Sequence, residues 1–249
     1  MEKRLRIFAG PNGSGKSTIL QLLPSTVDLG YYINADDIER SITNGLGIGL
    51  NKYGVKANTE ILYNFFEQSS FVKEKSDLDK LKSIFFVERN NLKVKSITDI
   101  TPKYSAAIIS EFLREFNLEN GNDFSFETVM SHKDKVSFIK KATEQGYKVY
   151  LYYVCLDNYK LNIDRVATRV AEGGHHVSAD KIKARYSRSL GLLLNALKAS
   201  YKSYLFDNSK ESSHLIARVN RDKKIHLQVP EEELPNWYIK NVVNKLKNI

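Results

Sequence analysis

The sequence predicts an α/β fold with a mostly parallel central sheet. Three observations predict it. Leu5 to Ala9 is a short apolar strand, followed by a glycine-rich turn over Gly10 to Gly15 and a helix from Lys16 to Leu23. Leu29 to Ile33 reads as a second strand, so the chain opens as strand, loop, helix, strand. Lys148 to Leu156 is a near-continuous apolar run, as expected of a strand buried on both faces of a parallel sheet.

The other elements follow in order. The first helix ends near Pro24, and Asn34-Ala35-Asp36-Asp37 is a helix-start signal. Gly45-Leu46-Gly47-Ile48-Gly49 reads as a flexible loop, Ala57 to Val72 as a helix and Lys73 to Lys82 as a charged stretch. Ile84 to Ile100 mixes strand and helix signals, so residues 44–101 are expected to be an insertion that covers or extends the core. Regularity returns after Pro102. Tyr104 to Phe116 is a helix, Asp123 to Thr128 a strand, and Lys133 to Gln145 a helix stopped by Gly146. Leu161 to Ala171 and Ala179 to Ala199 are helices around a loop, Gly173-Gly174-His175-His176. Ser203 to Phe206, Leu215 to Val219 and Ile225 to Val229 are strand-like, and an amphipathic helix begins near Pro235. The expected organisation is a single domain over 1–249, with its core at 4–43 and 102–210 and a C-terminal extension at 211–249.

Composition narrows the function classes. A hydrophobic share of 42% over 249 residues can bury a substantial core. One cysteine, Cys155, and no Cys/His cluster point to a reducing cytoplasm without structural zinc. The N-terminus does not read as a signal peptide, and no run approaches the ~18 apolar residues of a membrane span. The net charge of +9 comes from scattered lysines rather than a basic arm. Nucleic acid is therefore not the expected partner.

Gly10-Pro11-Asn12-Gly13-Ser14-Gly15-Lys16-Ser17 fits the pattern G-x-x-x-x-G-K-[ST] in full, after a strand and ahead of a helix. The fold expectation thereby sharpens to a P-loop NTPase three-layer sandwich. The glycines let backbone N–H groups turn toward a β-phosphate, and the helix adds its positive end. The expected ligands are ATP and Mg²⁺. Lys16 would reach the β- and γ-phosphates, Ser17 would sit on the metal, and Thr18 would support the phosphates from the first turn. A transporter-type ATPase is not expected. Such proteins carry a Leu-Ser-Gly-Gly-Gln type signature and an apolar strand ending in Asp-Glu, whereas this strand ends in Asp157-Asn158.

A second set of residues surrounds that loop in the expected fold. Asp36 or Asp37, at the end of the next strand, is placed to orient an attacking hydroxyl, or else to cap the helix. Arg165 and Arg169 are four apart and share a helix face, where two guanidinium groups would neutralise phosphate charge. Glu127 and Thr128 close a strand at the carboxyl edge of the sheet, where open α/β folds place ligands. Arg185 and Arg188 are structural or phosphate-facing. Asp207-Asn208-Ser209 either shapes the nucleotide pocket or forms a turn. The glycine pair at 173–174 reads as a lid hinge or as a plain helix stop.

The ordered blocks resemble the zeta-toxin-like P-loop kinases. These blocks are Ala9 to Thr18, Ile33 to Asp36, Phe124 to Ser131, Gly146 to Val149, Arg165 to Val170, Gly173 to Val177, Arg185-Tyr186 and Asp207 to Ser209. The resemblance covers about residues 4–43 and 102–210. It implies a kinase that uses ATP to phosphorylate a sugar hydroxyl. For the best-known toxins the acceptor is a UDP-activated N-acetylhexosamine. It also implies Asp36 as catalytic base, Lys16 as the phosphate-binding lysine and Arg165 as the arginine that steadies the transferring phosphate; Arg169, on the same helix face as Arg165, is expected at the nucleotide. Asn34, Glu127 and Thr128 would contact the acceptor, with Glu127 on the acceptor or the metal. Those toxins carry an arginine four residues after the position of Glu127, and Ser131 stands there in this chain. Family members are often restrained by a small antitoxin that blocks the nucleotide site; an antitoxin is accordingly a candidate partner, and no such segment is expected ahead of this P-loop. The alternative readings are a non-catalytic ATP-binding switch or interaction module, and a polynucleotide kinase.

Overall fold

The computed structural model describes residues 2–96, 101–174 and 176–247. The chain divides into two units, Met1–Asp28 with Phe126–Ile249, and Leu29–Ser125. The first unit opens with β1 (Arg4–Ala9) and α1 (Lys16–Leu22). No side chain caps α1, which starts directly from Gly15 at φ 93°.

The second unit begins with β2 (Tyr31–Ile33) and α2 (Ala35–Thr43). Asn34 starts α2 by accepting the Asp36 N–H at 2.9 Å, and Asp36 and Asp37 lie in the first turn, where the helix dipole favours anions. Next come β3 (Ile48–Gly49), α3 (Thr59–Gln68), α4 (Ser70–Lys75), α5 (Leu78–Ile84), β4 (Phe85–Glu88), β5 (Asn91–Val94) and α6 (Pro102–Glu119). Strands β3, β5 and β4 form a small antiparallel sheet in that order.

Several sequence expectations change in this unit. The helix expected over Ala57 to Val72 is two helices. Ser69 is extended, and its hydroxyl accepts the Val72 N–H at 3.2 Å, which restarts the chain as α4. The loop at 45–49 contains β3, and the charged stretch from Lys73 to Lys82 is helical at both ends. The mixed signal after Ile84 is a hairpin. Arg89 and Asn90 both take positive φ, 49° and 57°, as a turn matched to strand twist requires. Residues 97–100 of that stretch lie outside the described residues.

β6 (Phe124–Thr128) starts in the second unit and ends in the first. Tyr31 N–H donates to Asp123 O at 3.0 Å, which aligns β2 with the entry to β6. The first unit continues with α7 (Lys133–Glu144), β7 (Lys148–Cys155), α8 (Tyr159–Ala171), α9 (Ala179–Ala199), β8 (Lys202–Asp207), β9 (His214–Val219) and β10 (Ile225–Leu227). Its strands run β10-β9-β8-β7-β1-β6. β1, β7 and β8 are parallel neighbours, and β8, β9 and β10 are antiparallel ones. The result is the expected α/β fold with a mostly parallel central sheet and helices on both sides.

Register explains the packing. Phe8, Tyr152 and Tyr204 are cross-strand partners, and their rings stack at 4.9 and 5.0 Å. Tyr153, one residue on, points to the opposite face and bonds Ser189 of α9 at 3.0 Å. The C-terminal helix expected from Pro235 is broken into α10 (Asn236–Tyr238), a π-helical turn (Ile239–Val243) and α11 (Asn244–Lys247). It still buries Trp237, Tyr238 and Val242.

Candidate active site

The phosphate loop leaves β1 at Gly10, where φ is 144°. A Cβ there would meet Val154 O of β7 at 2.0 Å, so only glycine lets the loop turn this close to the neighbouring strand. Gly10 N–H donates to Thr128 O of β6 at 3.2 Å, which ties the loop to the strand carrying Glu127. Gly15 is constrained by its φ of 93° and by the Asn208 side chain, whose Nδ2 would lie 2.2 Å from a Cβ there.

Side chains remote in sequence hold the rest of the loop. Asn162 of α8 donates Nδ2–H to Asn12 O at 2.7 Å, and Asn208 after β8 donates to Ser14 O at 2.9 Å. Arg185 of α9 reaches Asn12 Oδ1 at 3.3 Å. Burial, and then the neighbouring Arg188 charge, pulls Arg185 below the ordinary arginine value. It nevertheless stays cationic. A half-buried cation repelled by its neighbour is stabilised by any anion brought beside it.

The predicted functional groups take definite positions around this loop. Lys16 Nζ donates to Gly10 O at 3.1 Å and Pro11 O at 3.0 Å, curling over the loop. The Ser17 hydroxyl donates to both Glu127 oxygens, at 3.1 and 3.3 Å. Thr128 Oγ1 accepts the Met130 N–H at 3.1 Å, and Met130 is buried with φ 51°. Arg165 Nη2 donates to Asn208 O at 2.8 Å and Lys210 O at 3.5 Å. Pro11 and Ser14 are buried, while Ser17 and Thr18 are exposed. The Ser14 hydroxyl, fully enclosed, has no hydrogen-bond partner among the described residues. Arg169 lies on α8 with Arg165, and Gly174 N–H bonds its carbonyl at 2.8 Å. Gly173 ends α8 at φ 86°, and Val177 beyond it packs on Val166 and Ile182. His175 lies outside the described residues. Asn34 and Asp36 belong to the second unit, where Asp36 is an exposed first-turn residue of α2.

The sequence alone does not mark Asn162, and it offers two readings each for Arg185 and Asn208. None of the three belongs to the loop motif; they come from three later elements and meet only at the loop. Asp207-Asn208-Ser209 forms the turn that is one of its two readings, and Asn208 within it contacts the loop at Ser14 O.

The Zeta toxin family model matches residues 67–211. That stretch includes Glu127, Arg165, Arg185 and Asn208, and it extends through 67–101, which the resemblance had left uncovered. The phosphate loop and Asp36 precede it. An uncharacterized protein of Haemophilus influenzae (strain ATCC 51907 / DSM 11121 / KW20 / Rd) is 31% identical over 74 residues. That match covers 30% of this chain and 53% of the relative, so it spans about half the length of that protein. Among solved structures, the chain is similar to one described as AvrRxo1-ORF1:AvrRxo1-ORF2 with sulphate ions. The TM-score is 0.54 at 14% identity, over 99% of this chain and 71% of that chain. The AvrRxo1-ORF1:-ORF2 structure with ATP gives a TM-score of 0.51 at 13% identity, over 91% of this chain and 61% of that chain. At such identities the likeness is one of fold.

Proposed function

Because the chain belongs to the Zeta toxin family, we propose that it is an ATP-dependent kinase that transfers the γ-phosphoryl group to a hydroxyl of a sugar or nucleotide-sugar. The observation that carries this reading is the Ser17–Glu127 contact beside a complete phosphate loop. It pairs a hydroxyl with a carboxylate, the hard oxygen donors that Mg²⁺ takes together with phosphate and water. Ser17 and Glu127 would hold the ion, which when bound neutralises charge shared by the β- and γ-phosphates.

The remaining work falls to the chain's own side chains. Lys16 exchanges the carbonyls of Gly10 and Pro11 for β- and γ-phosphate oxygens. Arg185, already desolvated beside Asn12, faces the polyphosphate, with Arg165 and Arg169 on the neighbouring helix. Asp36 accepts the proton of the acceptor hydroxyl, and Asn34 and Thr128 help to position the acceptor. The hydroxyl oxygen forms its bond to the γ-phosphorus as the bridging bond to ADP breaks. No helix among the described residues is long and apolar enough to cross a membrane, and the proposed location is the cytoplasm. A two-protein assembly solved with ATP is what one structural neighbour is described as. A restraining antitoxin is proposed here on the same pattern.

The test is ATP consumption with a panel of UDP-sugars, free sugars and oligonucleotides, on wild type and Asp36→Asn. The expected result is transfer to a sugar-class acceptor, reduced about 10²- to 10⁴-fold in the variant with ATP still bound. Full transfer by Asp36→Asn would remove Asp36 as the base. Transfer only to oligonucleotides would replace the acceptor class.

A further inference from the structure

The C-terminal segment lies beyond the family match, which ends at residue 211. It is nevertheless joined to the phosphate loop by successive hydrogen bonds. Trp237 is 2% exposed, and its indole N–H donates to Asp207 Oδ1 at 2.8 Å. The same carboxylate accepts the Ser209 hydroxyl at 2.8 Å and the Ser209 N–H at 3.3 Å. Ser209 Oγ accepts the Asp157 N–H at 2.8 Å, which fixes the turn to the end of β7. Between Asp207 and Ser209 stands Asn208. Its amide holds Ser14 O of the loop, and its carbonyl receives Arg165.

We infer that Trp237 is a positioning residue for nucleotide binding: its indole N–H fixes the Asp207 carboxylate, and the 207–209 turn so fixed presses Asn208 against the phosphate loop. The inference rests on the reading of that loop as an ATP site. Asp207 is only 8% exposed, so water is a poor substitute for a lost donor. Without the indole N–H the carboxylate keeps, among the described residues, only Ser209 of its own turn; the turn stays tied to β7 through Asn208 N–H and Ser209 but loses its direct anchor to the tail. The fit at the loop has little slack, because the Asn208 amide occupies the space a Gly15 side chain would need. A small shift of the turn therefore moves the Ser14 carbonyl.

The experiment measures the affinity of the full chain for a fluorescent ATP analogue with Mg²⁺. Trp237→Phe keeps an aromatic ring against Tyr153 and removes the donor together with part of the buried ring volume, which the melting temperature reads separately. Its dissociation constant is expected to rise about three- to tenfold. Asn208→Ala should also weaken binding, and the double variant should be no weaker than Asn208→Ala alone, because both act through one contact. Additive losses would overturn the inference. So would unchanged affinity with a lowered melting temperature, which would assign Trp237 to packing only. Should Trp237→Phe fail to fold, linkage supplies the wild-type test, in which bound nucleotide slows amide exchange over residues 236–243. Exchange there that ignores the nucleotide would sink the inference. Wild type that binds no better than Lys16→Ala would remove the ATP-site reading and this inference with it. Wild-type binding that Trp237→Phe leaves intact removes the inference alone.

Discussion

The phosphate loop and the Arg89–Asn90 turn are both tight turns held by residues far away in sequence, but they are held in opposite ways. In the turn the side chain is the holder. Asn90 accepts the Ala57 N–H at 3.0 Å and donates to Asn51 Oδ1 at 2.7 Å and Val55 O at 2.9 Å. It thereby satisfies donors and acceptors of other segments and leaves little unspent. In the loop, visiting amides from Asn162 and Asn208 take up carbonyls, at Asn12 and Ser14. Carbonyl oxygens would repel a phosphate. Occupying them from behind turns the loop into a surface fit for an anion. A turn built for structure closes its own hydrogen bonds, whereas a turn built for a ligand has its repulsive groups covered by others.

The strongest way to break this contrast is Gly10→Ala. The added methyl would sit 2.0 Å from Val154 O, on backbone that cannot move without displacing β7. The expected loss is about 4 kcal/mol or more, or failure to fold, read from denaturant midpoints. Near-wild-type stability would mean that β7 does not define the loop. Asn90→Ala sharpens the contrast from the other side. Removing its three contacts should destabilise the chain by about 2–3 kcal/mol while leaving affinity for ATP unchanged. A parallel fall in affinity would show that the turn serves the ligand as well.

The smallest effect concerns Cys155, at the end of β7 next to the loop's anchor strand. Burial pushes its thiol well above the ordinary value, so the native state holds it neutral. The unfolded chain can ionise above about pH 8.5 and the folded chain cannot. The raised value therefore contributes stability that is complete below that pH and declines as pH climbs, by at most about 1.4 kcal/mol per unit. Denaturant midpoints at pH 7 and pH 9.5, for wild type and Cys155→Ala, should show the steeper fall in wild type. A thiol reagent at pH 8 should label only the unfolded protein, and rapid native labelling would contradict the enclosure of β7.

What the sequence made legible follows from how local each signal is. The motif at Gly10 to Ser17 states its own geometry, and the apolar run at Lys148 to Leu156 states its burial; both appear as β1, its loop and β7. The helix start at Asn34-Ala35-Asp36-Asp37 was legible because its signal is local, although the capping side chain is Asn34, which accepts the Asp36 N–H, and not Asp36. Asn162, Arg185 and Asn208 reach the loop from three later parts of the chain; local sequence leaves Arg185 and Asn208 with two readings each, and nothing in its own neighbourhood marks Asn162. The Ser69 break and the hairpin at Arg89–Asn90 were obscured for another reason. Neither carries glycine or proline, and both depend on asparagine or serine side chains whose partners are set only by tertiary packing. The role of Trp237 was hidden because an indole in a short amphipathic tail reads as ordinary core.

The pairing of β1 with β7 has a consequence for how the protein is made. Arg4 lies opposite Lys148, so the strand that carries the phosphate loop meets its neighbour only about 140 residues later in the chain. At ordinary rates of translation that interval is on the order of ten to thirty seconds. During it, β1 and the loop must emerge from the ribosome without the strand that shapes Gly10 and without Asn162 and Asn208, the two side chains that cover the carbonyls of Asn12 and Ser14. The residues from Leu29 to Ser125 are all synthesised in that interval and form a unit of their own. The nascent chain is thus expected to fold the residues from Leu29 to Ser125 before β7, α8 and the 207–209 turn complete the loop that is proposed to hold a nucleotide.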